Sequence, residues 1–163
     1  IIGSDDYINA KQFAKVFDYL QKSSDEVIFT GFYDEKTNVP YFSNFLEIKN
    51  RSSFSHPGTF ISKNTYNLVG KYSLNYKVAM DYEFFSRFLK ESTSFAFVKM
   101  PFVIHASGGI SSNKLLCFLE SFKIRKKYYK AIFPFREIIN YGPSIFLQFL
   151  KNIFKRAKYF FKK

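Results

Sequence analysis

Apolar positions fall into short blocks along the chain, and the spacing inside each block predicts its element. Phe13, Val16, Phe17 and Leu20 recur at i, i+3, i+4 and i+7, one face of a helix. Asn9 supplies its N-cap, and Ser23-Ser24-Asp25 ends it. Before it, Ile1-Ile2 reads as the end of a buried strand, and Gly3 to Ile8 as a turn. After it, the run VIFTGFY (Val27–Tyr33) reads as one strand. Residues 34–55 are polar and lack a clear period, apart from a short strand expected around Tyr41–Phe45. His56-Pro57-Gly58 predicts a turn into a strand at Thr59–Ser62, and Lys63–Val69 a short helix stopped by Gly70. A helix follows over Met80–Glu91 with Phe84, Phe85, Phe88 and Leu89 turned inward. Phe95–Val98 and Phe102–His105 read as strands on either side of Met100-Pro101.

Downstream, the loop Ser107-Gly108-Gly109 leads into a long helix from about Ser112 to Ile132, broken near Pro134. Gly142-Pro143 breaks the chain again before a last helix over roughly Ser144–Phe161. Strands alternating with helices argue an α/β fold. The expected organisation is one α/β domain over residues 1–132 and a helical tail over 133–163.

Charge sharpens the view of the tail. The chain carries 25 Lys and Arg against 13 Asp and Glu, a formal charge of +12, and no acid after Glu137. In the tail, Phe149, Leu150, Ile153 and Phe154 lie on one stripe, while Lys151, Lys155 and Lys158 step along another face. A basic amphipathic helix with large aromatics suits an anionic membrane surface, and Phe149, Lys151, Phe154, Lys155 and Lys158 are the expected contacts. No nucleic-acid recognition motif accompanies the charge, so nucleic acid is not an expected partner. The lone cysteine, Cys117, excludes an internal disulfide and a cysteine-built metal site; flanked by Leu116 and Phe118, it reads as a buried thiol. No apolar run approaches the ~20 residues needed to span a bilayer, and the opening IIGS has no signal-peptide pattern.

Acidic residues are the candidate chemistry. Asp5 and Asp6 sit side by side after an apolar pair. They read either as a helix-start turn or as hard oxygen donors for Mg²⁺ or Mn²⁺ gripping a diphosphate at the carboxyl end of a strand. Asp81 stands at the start of a helix, where it serves either the helix dipole or proton abstraction at a crevice. Glu83, two residues on, points to a different side of that helix.

The ordered segments GSDDYI, FSHPGTFISKNTYNLVGKY, VAMDYEFFSRFLKE and HASGGISSN resemble the family 2 glycosyltransferases of GT-A fold, within them the bacterial enzymes of surface-polysaccharide synthesis. The resemblance covers residues 1 to about 130 and implies a partial GT-A, Rossmann-like mixed sheet with flanking helices. It implies a nucleotide-sugar donor, a glycan or lipid-linked acceptor, and inversion in a single displacement. Under it Asp6 is the ligand of Mn²⁺ or Mg²⁺, Asp5 supports the ribose or donor sugar, and Asp81 is the catalytic base. Ser4 stands where many members carry the first acid of an Asp-x-Asp motif. His56, with Gly58, reads either as a turn histidine bonded to backbone or as a site wall contacting donor phosphate or acceptor; Gly108 and Gly109 read as the connection into the next helix or, under the resemblance, a loop beside the site. A cytoplasmic location, peripheral on the inner face of the cell membrane, follows from the same resemblance and the basic tail. Such enzymes carry nucleotide-binding β-α-β units ahead of the acidic motif, so the chain reads as the C-terminal portion of one. His105 lacks a ligand partner at recognisable spacing, and Arg87 reads as solvated or ion-paired. The competing expectation is a non-catalytic module that binds a membrane surface or a polyanion.

Overall fold

In the computed structural model, residues 5–50, 52–54, 56–91, 94–106, 112–132, 135 and 138–148 are described. The elements run β1 (Tyr7–Ile8), α1 (Ala10–Leu20), β2 (Val27–Phe29), β3 (Phe32–Asp34), β4 (Pro40–Tyr41), a 3-10 turn (Phe45–Glu47), β5 (Thr59–Ile61), α2 (Lys63–Val69), α3 (Met80–Phe88), β6 (Phe95–Phe97), β7 (Val103–His105) and α4 (Lys114–Tyr129). The fold is therefore mixed α/β, as the alternation predicts. Its strands form two mixed sheets rather than one: β1-β7-β3-β4 and β5-β2-β6.

The run expected as one strand, Val27–Tyr33, is divided between those sheets. Gly31 takes φ +82°, and a Cβ there would lie 2.3 Å from the Tyr41 carbonyl oxygen, so this bend requires glycine. Thr30 stitches the bend to the next segment by donating from Oγ1 to the Gly58 carbonyl at 2.6 Å. Residues 7 and 8, expected in a turn, pair with β7 as β1, with Tyr7 opposite Ile104 and Ile8 opposite Val103. The short strand near Tyr41 exists but ends there, before the 3-10 turn.

Helix starts follow local chemistry where a cap is present. The Asn9 side chain accepts the Gln12 N–H, and the Ser62 side chain accepts that of Thr65. Gly70, at φ +85°, ends α2. Helix α3 lacks a side-chain cap at Ala79. Instead Glu120, on α4, accepts the N–H groups of Lys77, Val78 and Ala79 at 2.8, 2.9 and 2.9 Å. It is the one acid in a basic helix, and it binds α4 to the start of α3.

The larger core gathers Val27 and Phe29 of β2, Phe54, Tyr82, Phe84, Phe85 and Phe88 of α3, and Ile124 of α4. A smaller one joins Val16 of α1 to Phe102 and Val103. Phe84, Phe85 and Phe88 are buried as expected, and so is Cys117. Helix runs through residues 138–148, with Gly142 and Pro143 inside it, so the predicted break at those residues does not occur. Proline removes one N–H there, and the residue four earlier, Ile139, is 57% exposed, so water can satisfy its carbonyl. The remainder of the expected tail helix, the strand end at Ile1-Ile2, the break near Pro134, and Phe149, Lys151, Phe154, Lys155 and Lys158 lie outside the described residues. No described helix is long and apolar enough to cross a membrane.

Candidate active site

Strand pairing brings together two residues almost a hundred positions apart. Because Tyr7 faces Ile104 across the β1–β7 ladder, the next position outward sets Asp6 against His105. The Asp6 Oδ1 lies 2.8 Å from His105 Nδ1 and accepts the Ala106 N–H at 3.1 Å. The Asp6 side chain is 3% exposed and that of His105 is 38% exposed, so the carboxylate is screened from water while the imidazole reaches the surface. On its other side β7 pairs with β3 in parallel, Asp34 opposite His105. The Asp34 carboxylate is occupied by its own turn, accepting from Lys36 N, Thr37 N and Thr37 Oγ1. Asp5 is exposed in the turn before β1, and Ser4 lies outside the described residues.

His56 belongs to the same neighbourhood. Burial holds its imidazole below the usual histidine range; the Asp6 charge acts to raise it and His105 to lower it further, so both are within electrostatic reach. Its ring stands edge-on to Tyr72, centroids 6.0 Å apart at 77°. Gly58 closes the turn that begins at His56. It is buried at φ +78°, and a Cβ would fall 2.5 Å from the Gly31 oxygen and 2.8 Å from Thr30 Oγ1. The close approach that glycine permits here is between two strands' ends.

From Tyr72 the line continues to Asp81. The Tyr72 ring packs on Phe84 at 4.7 Å. Its hydroxyl is buried with no hydrogen-bond partner among the described residues. Burial raises that phenol far above its ordinary value, with Tyr66 and the Asp81 charge adding to the effect. Burial likewise raises the Cys117 thiol, and Asp81 is again among the contributing charges. Asp81 is thus within electrostatic reach of both Tyr72 and Cys117 of α4. Its own carboxyl is pushed up to about 6 by burial, against the opposing pull of the Tyr82 N–H, which it accepts at 2.7 Å.

Glu83 and Arg87 do structural work. Glu83 is 2% exposed and receives Arg87 Nε at 3.0 and 3.1 Å, the Tyr128 hydroxyl, and Lys127 Nζ at 3.7 Å. Arg87 also donates to the carbonyls of Val69 and Lys71, tying α3 to the end of α2. The two acids of Asp81-Tyr82-Glu83 therefore separate as their spacing requires.

The partner that His105 lacks in the linear sequence is Asp6, and its signal is register: a β1–β7 ladder, once paired, fixes the contact. Glu120 is the other residue sequence reading passed over, although its isolation among lysines marks it. Among the described residues no three His, Cys, Asp or Glu side chains come together. Mn²⁺ and Mg²⁺ favour oxygen donors and take few protein ligands; here Asp6 offers one carboxylate, with the His105 imidazole beside it. Gly108 and Gly109 lie outside the described residues. The chain matches no model of a known protein family and no curated protein.

Proposed function

We propose that this chain is the acceptor-side, catalytic portion of an inverting glycosyltransferase of GT-A type. It would move a sugar from a nucleotide-sugar donor to a glycan or lipid-linked acceptor in surface-polysaccharide synthesis. The observation that carries the reading is the Asp6–His105 contact at 2.8 Å, linked by His56 and Tyr72 to a carboxyl raised to about 6. Two acids with opposite assignments, one facing an imidazole and one desolvated, form the pair such a reaction needs.

Each residue then has a task. Asp81 takes the proton of the acceptor hydroxyl as that oxygen attacks the anomeric carbon. The bond from that carbon to the diphosphate breaks, and the nucleoside diphosphate leaves with the electron pair. A base whose carboxyl titrates near 6 is a better proton acceptor than an ordinary aspartate and is still ionised at neutral pH. Asp6 and His105 would hold the divalent cation, which supplies Lewis-acid stabilisation of the leaving diphosphate when bound. His56, whose burial disfavours its charged form, adds little charge that would pair with either acid.

The test is thermal. Saturating Mn²⁺ with UDP or GDP at about a hundred times the dissociation constant stabilises a binding protein by about 2.7 kcal/mol. For a chain of this size that is roughly 5–11 °C. Asp6→Ala is expected to abolish the rise and Asp81→Asn to keep it. A rise that survives Asp6→Ala refutes the cation assignment.

A second reading has its own observation. The end of the described chain turns large apolar groups outward: Ile138, Ile139, Phe146 and Leu147 are 44%, 57%, 62% and 57% exposed. Beside the lysines that follow in the sequence, this face favours contact with an anionic membrane surface, which would bring the site to a lipid-linked acceptor.

A further inference from the structure

We propose that the groove between β4 and the segment Ser52–Phe54 binds a neutral pyranose unit of the acceptor glycan. The groove is open and holds about 280 Å³, the small end of the range for ligand sites. Tyr41 and Phe42, 51% and 42% exposed, form one wall, and Phe54, 7% exposed, lines it more deeply. Polar groups complete the lining. Asn44 brings an amide, whose Oδ1 accepts the Leu46 N–H at 3.1 Å. Ser52 is exposed and brings a hydroxyl.

Chemistry selects the ligand class. A pyranose offers an apolar C–H face to an aromatic ring and a rim of hydroxyls to amide and hydroxyl partners. Among the described residues, no Lys, Arg, Asp or Glu lines the groove. A larger cavity of about 430 Å³ beside α3 and α4, by contrast, is lined by Lys49 and Lys90. The described lining, aromatic rings with an amide and hydroxyls, suits an uncharged, hydroxyl-rich ligand.

Position ties the groove to the candidate active site. Phe32 stacks on Tyr41 at 5.4 Å and 16°, and its edge meets the His105 ring at 5.1 Å. The groove thus begins one ring away from the Asp6–His105 pair, and the segment lining its other side continues to His56. Its assignment to the acceptor rests on the transferase reading; the sugar binding does not.

Saturation-transfer NMR on the full chain tests this, with maltose, cellobiose, lactose and chitobiose as probes and glucuronic acid and uridine as comparators. Ring protons of at least one neutral saccharide are expected to receive saturation. Tyr41→Ala should weaken that saccharide at least about tenfold, while Tyr41→Phe keeps it. Ser52→Val, at an exposed position, repeats the test without removing a ring and should weaken binding several-fold. The proposal is overturned if no neutral saccharide responds, if uridine responds in their place, or if the folded Tyr41→Ala and Ser52→Val chains both bind as the parent does. Melting with Mn²⁺ and UDP or GDP separates the two claims. Saccharide binding without a nucleotide shift keeps the groove and removes the transferase reading; a nucleotide shift without saccharide binding does the reverse.

Discussion

Replacing Asp81 by Asn should make the protein more stable and, if Asp81 is the base, inactive. The carboxyl titrates at about 6 in the folded chain against an ordinary value of 3.8. That difference corresponds to about 3 kcal/mol between the protonated and ionised forms. Between pH 4 and 6 the folded state holds a proton that the unfolded state has released, so stability falls as pH rises through this window. Above about pH 7 the full cost is present; below about pH 4 there is none. Asn cannot ionise, and its side-chain oxygen can still accept the Tyr82 N–H. The stability advantage of Asp81→Asn over the parent should therefore grow by about 3 kcal/mol from pH 4 to pH 7.5. Urea unfolding of both proteins across that range measures it. Other titrating groups cancel in the difference: His56, held low by burial, makes both proteins lose stability as pH falls below its ordinary 6.5. Parallel profiles, with an advantage constant to within about 0.5 kcal/mol, would refute the desolvation argument. Loss of a general base should in parallel lower transfer by about 10²–10⁴-fold.

Glu120→Ala removes the acceptor for three backbone N–H groups at the start of α3. At about 1–3 kcal/mol for each donor left buried and unsatisfied, and with some of them reached by water, a loss of about 3 kcal/mol is expected in urea unfolding at neutral pH. Burial acts to raise the Glu120 carboxyl, but those N–H groups together hold it below its ordinary 4.5. Its contribution is thus full above that value and lost as pH falls below it, so the gap between parent and variant should narrow in acid. For the tail, sedimentation with vesicles rich in phosphatidylglycerol should carry the chain down at low salt and release it at high salt. A chain ending at residue 132 should stay in the supernatant; binding that survives the truncation would reject the tail as anchor.

Elements whose cause is local were legible in the sequence. Helix α1 announces itself through Asn9 and a 3.6-residue period, and α2 through Gly70, although its cap Ser62 reads in the sequence as the end of the preceding strand. What the linear pattern missed depends on contacts across the chain. VIFTGFY has the composition of one strand, yet Gly31 at φ +82° bends it, because the neighbouring Gly58 allows two backbones to meet. Gly142-Pro143 carries the composition of a break, yet helix continues through an exposed stretch where a missing N–H costs little. Asp6 stands out in the sequence beside Asp5, but its contact with His105 does not, since 99 residues separate them and only the β1–β7 register makes them neighbours.

Helix α3 shows how such distant contacts bear on chemistry. An aspartate in the first turn of a helix ordinarily reads as a stabiliser of that helix, and its carboxyl then stays low. Here Glu120, a residue 39 positions beyond Asp81 on another helix, takes the N–H groups of Lys77, Val78 and Ala79, which lead into α3. Within the first turn Asp81 accepts the Tyr82 N–H, and burial outweighs that bond. Two residues on, Glu83 carries the ion pair that fixes α3 to α2 through Arg87. Glu120 and Glu83 both accept hydrogen bonds that hold the helix in place, while burial disfavours the ionised form of Asp81. A helix held by its neighbours can therefore present a strongly basic carboxylate at its start, and weakening Glu120 should loosen that position before any change at Asp81 itself.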